Sequence, residues 1–463
     1  MHELDLIIVG TGSGNSIPGP EFDDWNIAIV EKGVFGGTCL NVGCIPSKMF
    51  VYSADVAETI HKASAYGIDA TLNGTDWPAI RDRVFNRIDP IAAGGEAYRR
   101  SDESANIAVF GGEGYFTGHK TLEVKMADGS TEQLTGRHIV IGAGGRPFVP
   151  PYPGIESVEH HTSDSIMRLE ALPEHLIVMG GGYIATELGH VFQGLGSKVT
   201  VINRSERLLR REDDDISARF TEVFGRRANL CCGATVNNIS QEGRTISVDI
   251  TIDGVDQTIE GDALLVATGR VPNGDLLHLG ESGIEQERGR VLVDENFRTN
   301  VDGVWAFGDI ANELQLKHLA NAEVRTLRQN ILRADGQLEG PLETIDSRFV
   351  PHAVFSDPQV ATVGLTERDA REQGLDIVVA TKDFGSTAYG WAMEDTDGFC
   401  KVIADASTRR LLGAHILGAQ SSILIQSLIQ GMHFDLTVDQ MAHGQYYIHP
   451  ALTEVVENAL LDL

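Results

Sequence analysis

Apolar and polar positions alternate along this chain in two registers, and the switches between them outline its architecture. Short, nearly continuous apolar runs at Leu4–Val9, Asn26–Val30, His138–Ile141, Leu176–Met179, Lys198–Ile202 and Ala263–Val266 predict strands buried on both faces, as in a parallel sheet. Residues 50–105 carry apolar positions at helical spacing: Val51, Ala54, Val56, Ala57 and Ile60, then Ile80, Val84 and Ile88. Turns are expected there at Asn73-Gly74 and Gly94-Gly95. Residues 106–140 alternate like antiparallel strands, with turns expected at Gly111-Gly112 and Asp128-Gly129. Pro147, Pro150, Pro151 and Pro153 then make a stiff crossover. From about Asp346 the character changes. Strand-like runs (Phe349–Phe355, Gln359–Gly364, Ile377–Asp383, Phe399–Asp405, Leu411–Leu417) mix with helical stretches near Ser421–Met432 and Pro450–Leu461.

Two of the strands run into glycine loops. The first is Gly10-Thr11-Gly12-Ser13-Gly14, and Glu31 closes the next strand about 20 residues on, where an acid takes adenosine ribose hydroxyls. Asn15 stands at the usual third glycine, and Pro18 and Pro20 cut the helix that should follow. That helix must be short and this edge open. The second loop is Gly180-Gly181-Gly182-Tyr183-Ile184-Ala185. Each unit has a later strand that exits through glycine, with Gly144 in one and Gly269 in the other. The chain thus contains two dinucleotide-binding units by internal duplication. After the second unit's Ile202 come Asn203, Arg204, Arg207, Arg210 and Arg211. Arginine binds a 2′-phosphate through bidentate charge-assisted bonds, so this end reads as NADPH over NADH, a solvated basic face being the alternative. Asp309, after the run Gly303–Gly308, suits a sugar-like hydroxyl chain. The fold class is α/β: two Rossmann-like dinucleotide-binding domains plus an α+β C-terminal domain. The boundaries fall at 1–150, 151–272, 273–345 (completing the first domain) and 346–463.

Composition narrows the partners. At 463 residues the chain exceeds one compact core. The excess of 66 acidic over 37 basic residues, −29 in all, argues against nucleic acid or an anionic membrane, and any anionic cofactor must find local positive charge. The first apolar run, Leu6–Val9, is too short for a secretory leader, and no apolar run of about 20 residues could span a bilayer. Five cysteines in such a length do not make a disulfide scaffold. The expectation is a cytoplasmic protein, in which a disulfide would be made and broken in turnover.

The chemistry concentrates in Gly36-Gly37-Thr38-Cys39-Leu40-Asn41-Val42-Gly43-Cys44-Ile45-Pro46-Ser47-Lys48. If this stretch is one helix from near Thr38, both sulfurs lie in its first turns, where the helix dipole favours a thiolate. A C-x4-C pair is otherwise just two small buried residues, and no second cysteine or histidine pair at zinc spacing accompanies it; no metal is expected. Cys231 and Cys232 read as packing residues at a strand end. Near the C-terminus, Pro450 at the first position of a helix would hold His449 just outside it, with Glu454 one turn in. That carboxylate could fix the imidazole tautomer for acid–base work; a helix-capping histidine is the plainer alternative, and His443 is a weaker second candidate.

The order of these features, and GGTCLNVGCIPSK above all, resembles the pyridine nucleotide–disulfide oxidoreductases along essentially the whole chain. GTGSGNSIPGP and the tail HGQYYIHPALTEVVENALL resemble most the branch that reduces mycothiol disulfide. The resemblance implies an FAD-binding domain with Gly10, Gly12, Gly14, Glu31, Gly37, Thr38, Gly144 and Asp309 at the cofactor. Gly180, Gly182, Asn203, Arg204, Arg210 and Gly269 would line the NADPH site, and Lys48 and Glu187 would pair at the flavin ring. Cys44 would be the flavin-side thiolate and Cys39 the thiol that attacks a small disulfide. His449, with Glu454 orienting it, would reach in from the other subunit of a homodimer formed by the C-terminal domain. Dihydrolipoyl dehydrogenase or glutathione reductase-type activity is the alternative within the family; mercuric reductase would want a C-terminal cysteine pair that is not there. A non-catalytic flavoprotein subunit is the alternative outside enzymes.

Overall fold

The computed structural model describes residues 2–463, so Met1 lies outside it. The chain divides into two compact units. One takes the chain up to Pro46 with Arg81–Phe148 and Arg270–Asp346; the other takes Ser47–Ile80, Val149–Gly269 and Ser347–Leu463.

In the first unit His2–Val9 is flanked by parallel strands Ile27–Glu31 and Thr131–Ile141. Ile107–Gly118 adds in parallel beyond the first of these and Val304–Ala306 beyond the second. Its near-continuous apolar runs are buried on both faces. Ile7, Val9, Ala28, Val30, Ile139 and Ile141 face one core, while Leu6, Ile8, Ile27 and Ile29 face another with Phe22, Trp25, Val324 and Leu327. That two-residue alternation is what a doubly covered parallel sheet requires.

Two glycine pairs do not turn the chain. Gly111-Gly112 lies inside the strand Ile107–Gly118, where a Cβ on Gly112 would come 2.4 Å from the Lys125 carbonyl oxygen of the neighbouring strand. The pair makes room for a neighbour rather than a bend. Gly94-Gly95 lies inside the helix Trp77–Arg99; tertiary packing overrides the local preference, with Gly95 set against the Phe35 ring. The expected turn at Asp128-Gly129 is present, with Gly129 at φ +85°.

The second unit repeats the scheme. His175–Met179 lies between Ala263–Val266 and Lys198–Asn203, with Asn229–Cys232 outermost, all parallel. An antiparallel three-stranded sheet, Thr235–Glu242, Thr245–Ile252 and Val255–Gly261, is inserted before the last of these strands. The C-terminal segment of this unit is α+β: a five-stranded antiparallel sheet whose Val402, Ala414 and Ile416 pack on Leu428, Val455 and Leu460 of its helices. The last helix is Thr453–Leu461, so Pro450 does not occupy its first position. It lies in a turn before the helix, joined to His449 by a cis peptide bond.

A buried charge cluster fixes the C-terminal sheet to the segment after the second nucleotide strand. Lys401 Nζ lies 2.8 Å from Asp213, 2.6 Å from Asp215 and 2.8 Å from Glu367. Glu212 accepts from His352 at 2.8 Å and Thr362 at 2.7 Å. Burial opposes the charge on Lys401, yet the three carboxylates hold its pKa above the lysine range. Burial likewise opposes ionisation of Asp213 and Glu212, and their donors still hold both below the carboxylate range. His352 is raised against its burial by Glu212. Stability from the two acids is complete above their unfolded pKa values and is lost as pH falls through the folded ones. Stability from His352 is complete below its unfolded value and is lost as pH rises through the folded one. Lys401→Met leaves the one buried carboxylate of the three, Asp213, without its ammonium partner and is expected to cost about 3 kcal/mol, measured by urea unfolding. It should also flatten the acid limb of the stability curve.

Candidate active site

The two cysteines do not share one helix. Cys39 lies in the short helix Gly37–Asn41 and Cys44 opens the helix Cys44–Lys62. Val42 ends the first helix at φ −142°. At Gly43 a Cβ would come 2.9 Å from the Thr38 carbonyl oxygen and 3.3 Å from Cys39 Cα, so the chain folds back there and returns Cys44 to Cys39. No disulfide joins the two sulfurs in this structure. The hydrogen bond to Cys44, then burial, pushes the Cys39 pKa up; the Lys317 ammonium pulls the other way. Cys39 is half-buried and Cys44 exposed.

This segment is built onto the first glycine loop. Gly36 and Gly37 have φ of +104° and +71°, and a Cβ on Gly37 would come 2.7 Å from Gly12 Cα. Gly36 N–H donates to Thr11 Oγ1 at 2.9 Å. Thr11 in turn donates to Glu31 through its N–H at 2.9 Å and its hydroxyl at 2.6 Å. The buried Asn41 amide donates to the Phe35 carbonyl at 3.0 Å and the Gly37 carbonyl at 3.1 Å. Strand end, glycine loop and dithiol therefore form one hydrogen-bonded piece. A Cβ on Gly12 or Gly144 would meet nothing within 4 Å, whereas one on Gly10 would fall 2.4 Å from the Gly142 carbonyl oxygen. Gly14 is buried against Ile8. Asp309 follows the strand Val304–Ala306; burial raises its pKa, with Arg270 and Lys317 opposing. These residues fit an adenine dinucleotide, because the open glycines and the acid at the strand end leave a cradle a side chain would fill.

The expected helix after this loop is reduced to two 3-10 turns, Ser13–Ser16 and Pro20–Phe22. Asn15 is held by Arg99, whose Nε donates to Asn15 Oδ1 at 2.8 Å and whose terminal nitrogen donates to its carbonyl at 2.7 Å. Nothing in the sequence marks Arg99 or Lys317, because each reaches the loop from far along the chain and neither sits in a motif.

In the second unit Lys48 Nζ lies 2.5 Å from Glu187 and 4.7 Å from the centre of the Phe355 ring. Glu187 is buried and its other oxygen accepts from Phe355 N–H at 2.9 Å. Gly180 turns at φ +123°, with no room for a Cβ against the Ala267 carbonyl oxygen at 2.3 Å; Gly182 and Gly269 face open space. Asn203 is turned inward: its amide donates to the Ser205 and Arg207 carbonyls, both at 2.9 Å. It shapes the loop on which Arg204, Arg207, Arg210 and Arg211 stand exposed. At the C-terminus His449 Nδ1 lies 2.7 Å from Glu454 Oε1, and the imidazole side chain is 72% exposed. His443 ends the helix Val438–His443 and makes no part of that pair. Among the described residues no cluster of three or more His, Cys, Asp or Glu side chains is arranged to hold a metal, and no helix is long and apolar enough to cross a membrane.

Two nucleotide folds, one carrying a dithiol on its glycine loop, define a flavoprotein disulfide reductase with FAD and NADPH as cofactors. Residues 4–324 match the pyridine nucleotide-disulphide oxidoreductase model and residues 350–460 its dimerisation domain; the chain belongs to this family and is a homodimer-forming enzyme of it. It is 49% identical to a mycothione reductase of Mycobacterium tuberculosis, over 100% of both chains. It is 32% identical to a dihydrolipoyl dehydrogenase of Mycobacterium bovis, over 99% of this chain and 97% of that one. Among solved structures it is similar to the HOCl-induced flavoprotein disulfide reductase RclA of Escherichia coli, in its Cu(II) complex, at 29% identity and TM-score 0.86 over 100% of both chains.

Proposed function

We propose that the enzyme reduces mycothiol disulfide to two molecules of mycothiol at the expense of NADPH. The reading rests on the full-length relation at 49% identity to a mycothione reductase. The truncated first helix supports it, since a chain without that helix offers a different entrance from one that has it. The overall balance is NADPH + H⁺ + RSSR → NADP⁺ + 2 RSH.

FAD, when bound, carries the two electrons from nicotinamide to sulfur. The remaining work falls to side chains. The first glycine loop and Glu31 hold the adenosine half of FAD, Asp309 its ribityl end, and Lys48 with Glu187 the edge of the ring. Gly180 and Gly182 admit the nicotinamide nucleotide's pyrophosphate at the start of the helix Tyr183–Gly194. Arg204 and Arg210, on the loop that Asn203 shapes, take its 2′-phosphate. The Cys39–Cys44 disulfide accepts two electrons and two protons and becomes the dithiol. Cys39 sulfur then attacks the substrate disulfide, one thiol leaves with a proton, and Cys44 sulfur displaces the second thiol while the protein disulfide re-forms. His449 supplies the proton to the leaving thiol, with Glu454 holding its Nδ1. We assign that histidine to the dithiol of the second subunit; its exposed ring, beside Tyr446 and Ile448 that are also exposed, supports this. The cytoplasm, where small thiols are kept reduced, is the compartment such an enzyme serves.

The test is oxidation of NADPH and of NADH by the purified protein with mycothiol disulfide, glutathione disulfide and lipoamide at matched concentrations. The expected result is preference for mycothiol disulfide and for NADPH. Preference for lipoamide with NADH would replace this reading with a dihydrolipoyl dehydrogenase.

A further inference from the structure

A glycine loop between a strand and an α-helix offers a pyrophosphate two things: close backbone N–H groups, and the positive end of the helix dipole. The second loop keeps both, since Gly182 precedes the 12-residue helix Tyr183–Gly194. The first loop keeps only the backbone. A four-residue 3-10 turn, Ser13–Ser16, follows it, and so short a turn aligns few peptide dipoles. In a chain of net charge −29, FAD's two phosphates need positive charge from elsewhere.

The structure brings a cation to that loop. Lys317 Nζ donates to Ser13 Oγ at 2.8 Å, and Ser13 Oγ donates to Asn321 Oδ1 at 2.9 Å. Lys317 is the first residue of the helix Lys317–Ala334, anchored by buried Leu319, Ala320 and Val324. Its ammonium favours the ionised forms of both Cys39 and Asp309, so it stands among the loop, the thiol and the acid that bracket the cofactor. An ammonium has three donors, and Ser13 uses one. Arg99 meanwhile fixes Asn15, at the point where the loop departs from the usual glycine.

We propose that Lys317 is an FAD-binding residue that gives the cofactor's pyrophosphate the positive charge its missing helix does not. This rests on the flavin reading of the first glycine loop. Lys317 replaces a distributed dipole by a point charge, so FAD affinity becomes steeply dependent on salt.

The test compares full-length wild type, Lys317→Met and Lys317→Arg. Each is dialysed against FAD-free buffer over a series of KCl concentrations. FAD retained is read by absorbance and FAD released by fluorescence. Lys317→Met is expected to bind FAD about ten- to a hundredfold more weakly, with a shallower salt dependence, and Lys317→Arg to restore both. Urea unfolding of the apoproteins checks the fold. If Lys317→Met does not fold, Lys317→Gln carries the same comparison. Retention by the methionine variant equal to wild type at every salt overturns the proposal. So does a loss of FAD that Lys317→Arg does not restore, which would make the lysine structural. So does unchanged FAD binding with a shifted thiol titration, which would assign its charge to Cys39 alone. Wild type that holds no FAD would sink the flavin reading itself.

Discussion

Cys39→Ser and Cys44→Ser are each expected to lower NADPH-dependent disulfide reduction by at least about a thousandfold while FAD stays bound. Reduction of RSSR needs two electrons delivered by two sulfurs, one to attack and one to resolve, and a lone thiol stops at a mixed disulfide. Neither sulfur holds the first glycine loop; Thr11, Glu31 and Asn41 do that. The two variants should differ in their residual chemistry. The chief cause of the raised Cys39 pKa is its hydrogen bond to Cys44. Cys44→Ala removes that bond, so the Cys39 pKa should fall toward that of an ordinary thiol. Its alkylation by iodoacetamide should then begin at lower pH than in the reduced wild type. Normal turnover by either serine variant would overturn the assignment of the dithiol.

Much of this arrangement was legible in the chain because its signals are local. A buried strand, a glycine loop and the end of the next strand lie within about 30 residues; both nucleotide units carry that signature, with Glu31 at the strand end in the first and Asn203 in the second. The dithiol motif is contiguous. What was not legible depends on contacts between distant segments. Nothing near Gly43 announces that its missing Cβ lets the chain fold back over Thr38 and Cys39. Glycine pairs at 94–95 and 111–112 look like turns until Phe35 and the Lys125 carbonyl are brought beside them. The pattern around Pro450 suggests a helix start, whereas the helix hydrogen bonds begin only at Thr453.

The same distinction separates motif residues from the groups that tune them. Asn203 reads as a ligand by position, yet its amide is committed to two loop carbonyls. The exposed arginines around it are the groups proposed to meet a phosphate. Lys317 reads as an ordinary helix residue, yet it donates across 304 positions of sequence to the first loop. In both loops glycines leave open space beside the backbone, and the positive charge we assign to retaining a nucleotide there comes from side chains outside the motif.

His449→Ala is expected to lower kcat/KM for the disulfide by about a hundred- to ten-thousandfold, while hydride transfer from NADPH to an artificial acceptor stays near wild type. The reason lies in where the protons are. In the dithiol, the hydrogen bond to Cys44 and then burial raise the Cys39 pKa, which favours the protonated thiol. Attack on a disulfide therefore needs a base to receive that proton, and the thiol that leaves needs an acid to supply one. A single imidazole does both in turn. This is the role proposed for His449, whose Nδ1 lies 2.7 Å from Glu454 Oε1 while the rest of the ring is exposed. A tautomer with hydrogen on Nδ1 leaves Nε2 as the acceptor. The pH profile separates this role from a packing role. The wild-type rate with disulfide should show the titration of a group that His449→Ala removes, whereas the artificial-acceptor rate should not. Glu454→Gln keeps a partner for Nδ1 but not its charge, and should fall between wild type and His449→Ala. A disulfide pH profile unchanged in His449→Ala would take the acid–base role away from this residue and return attention to His443.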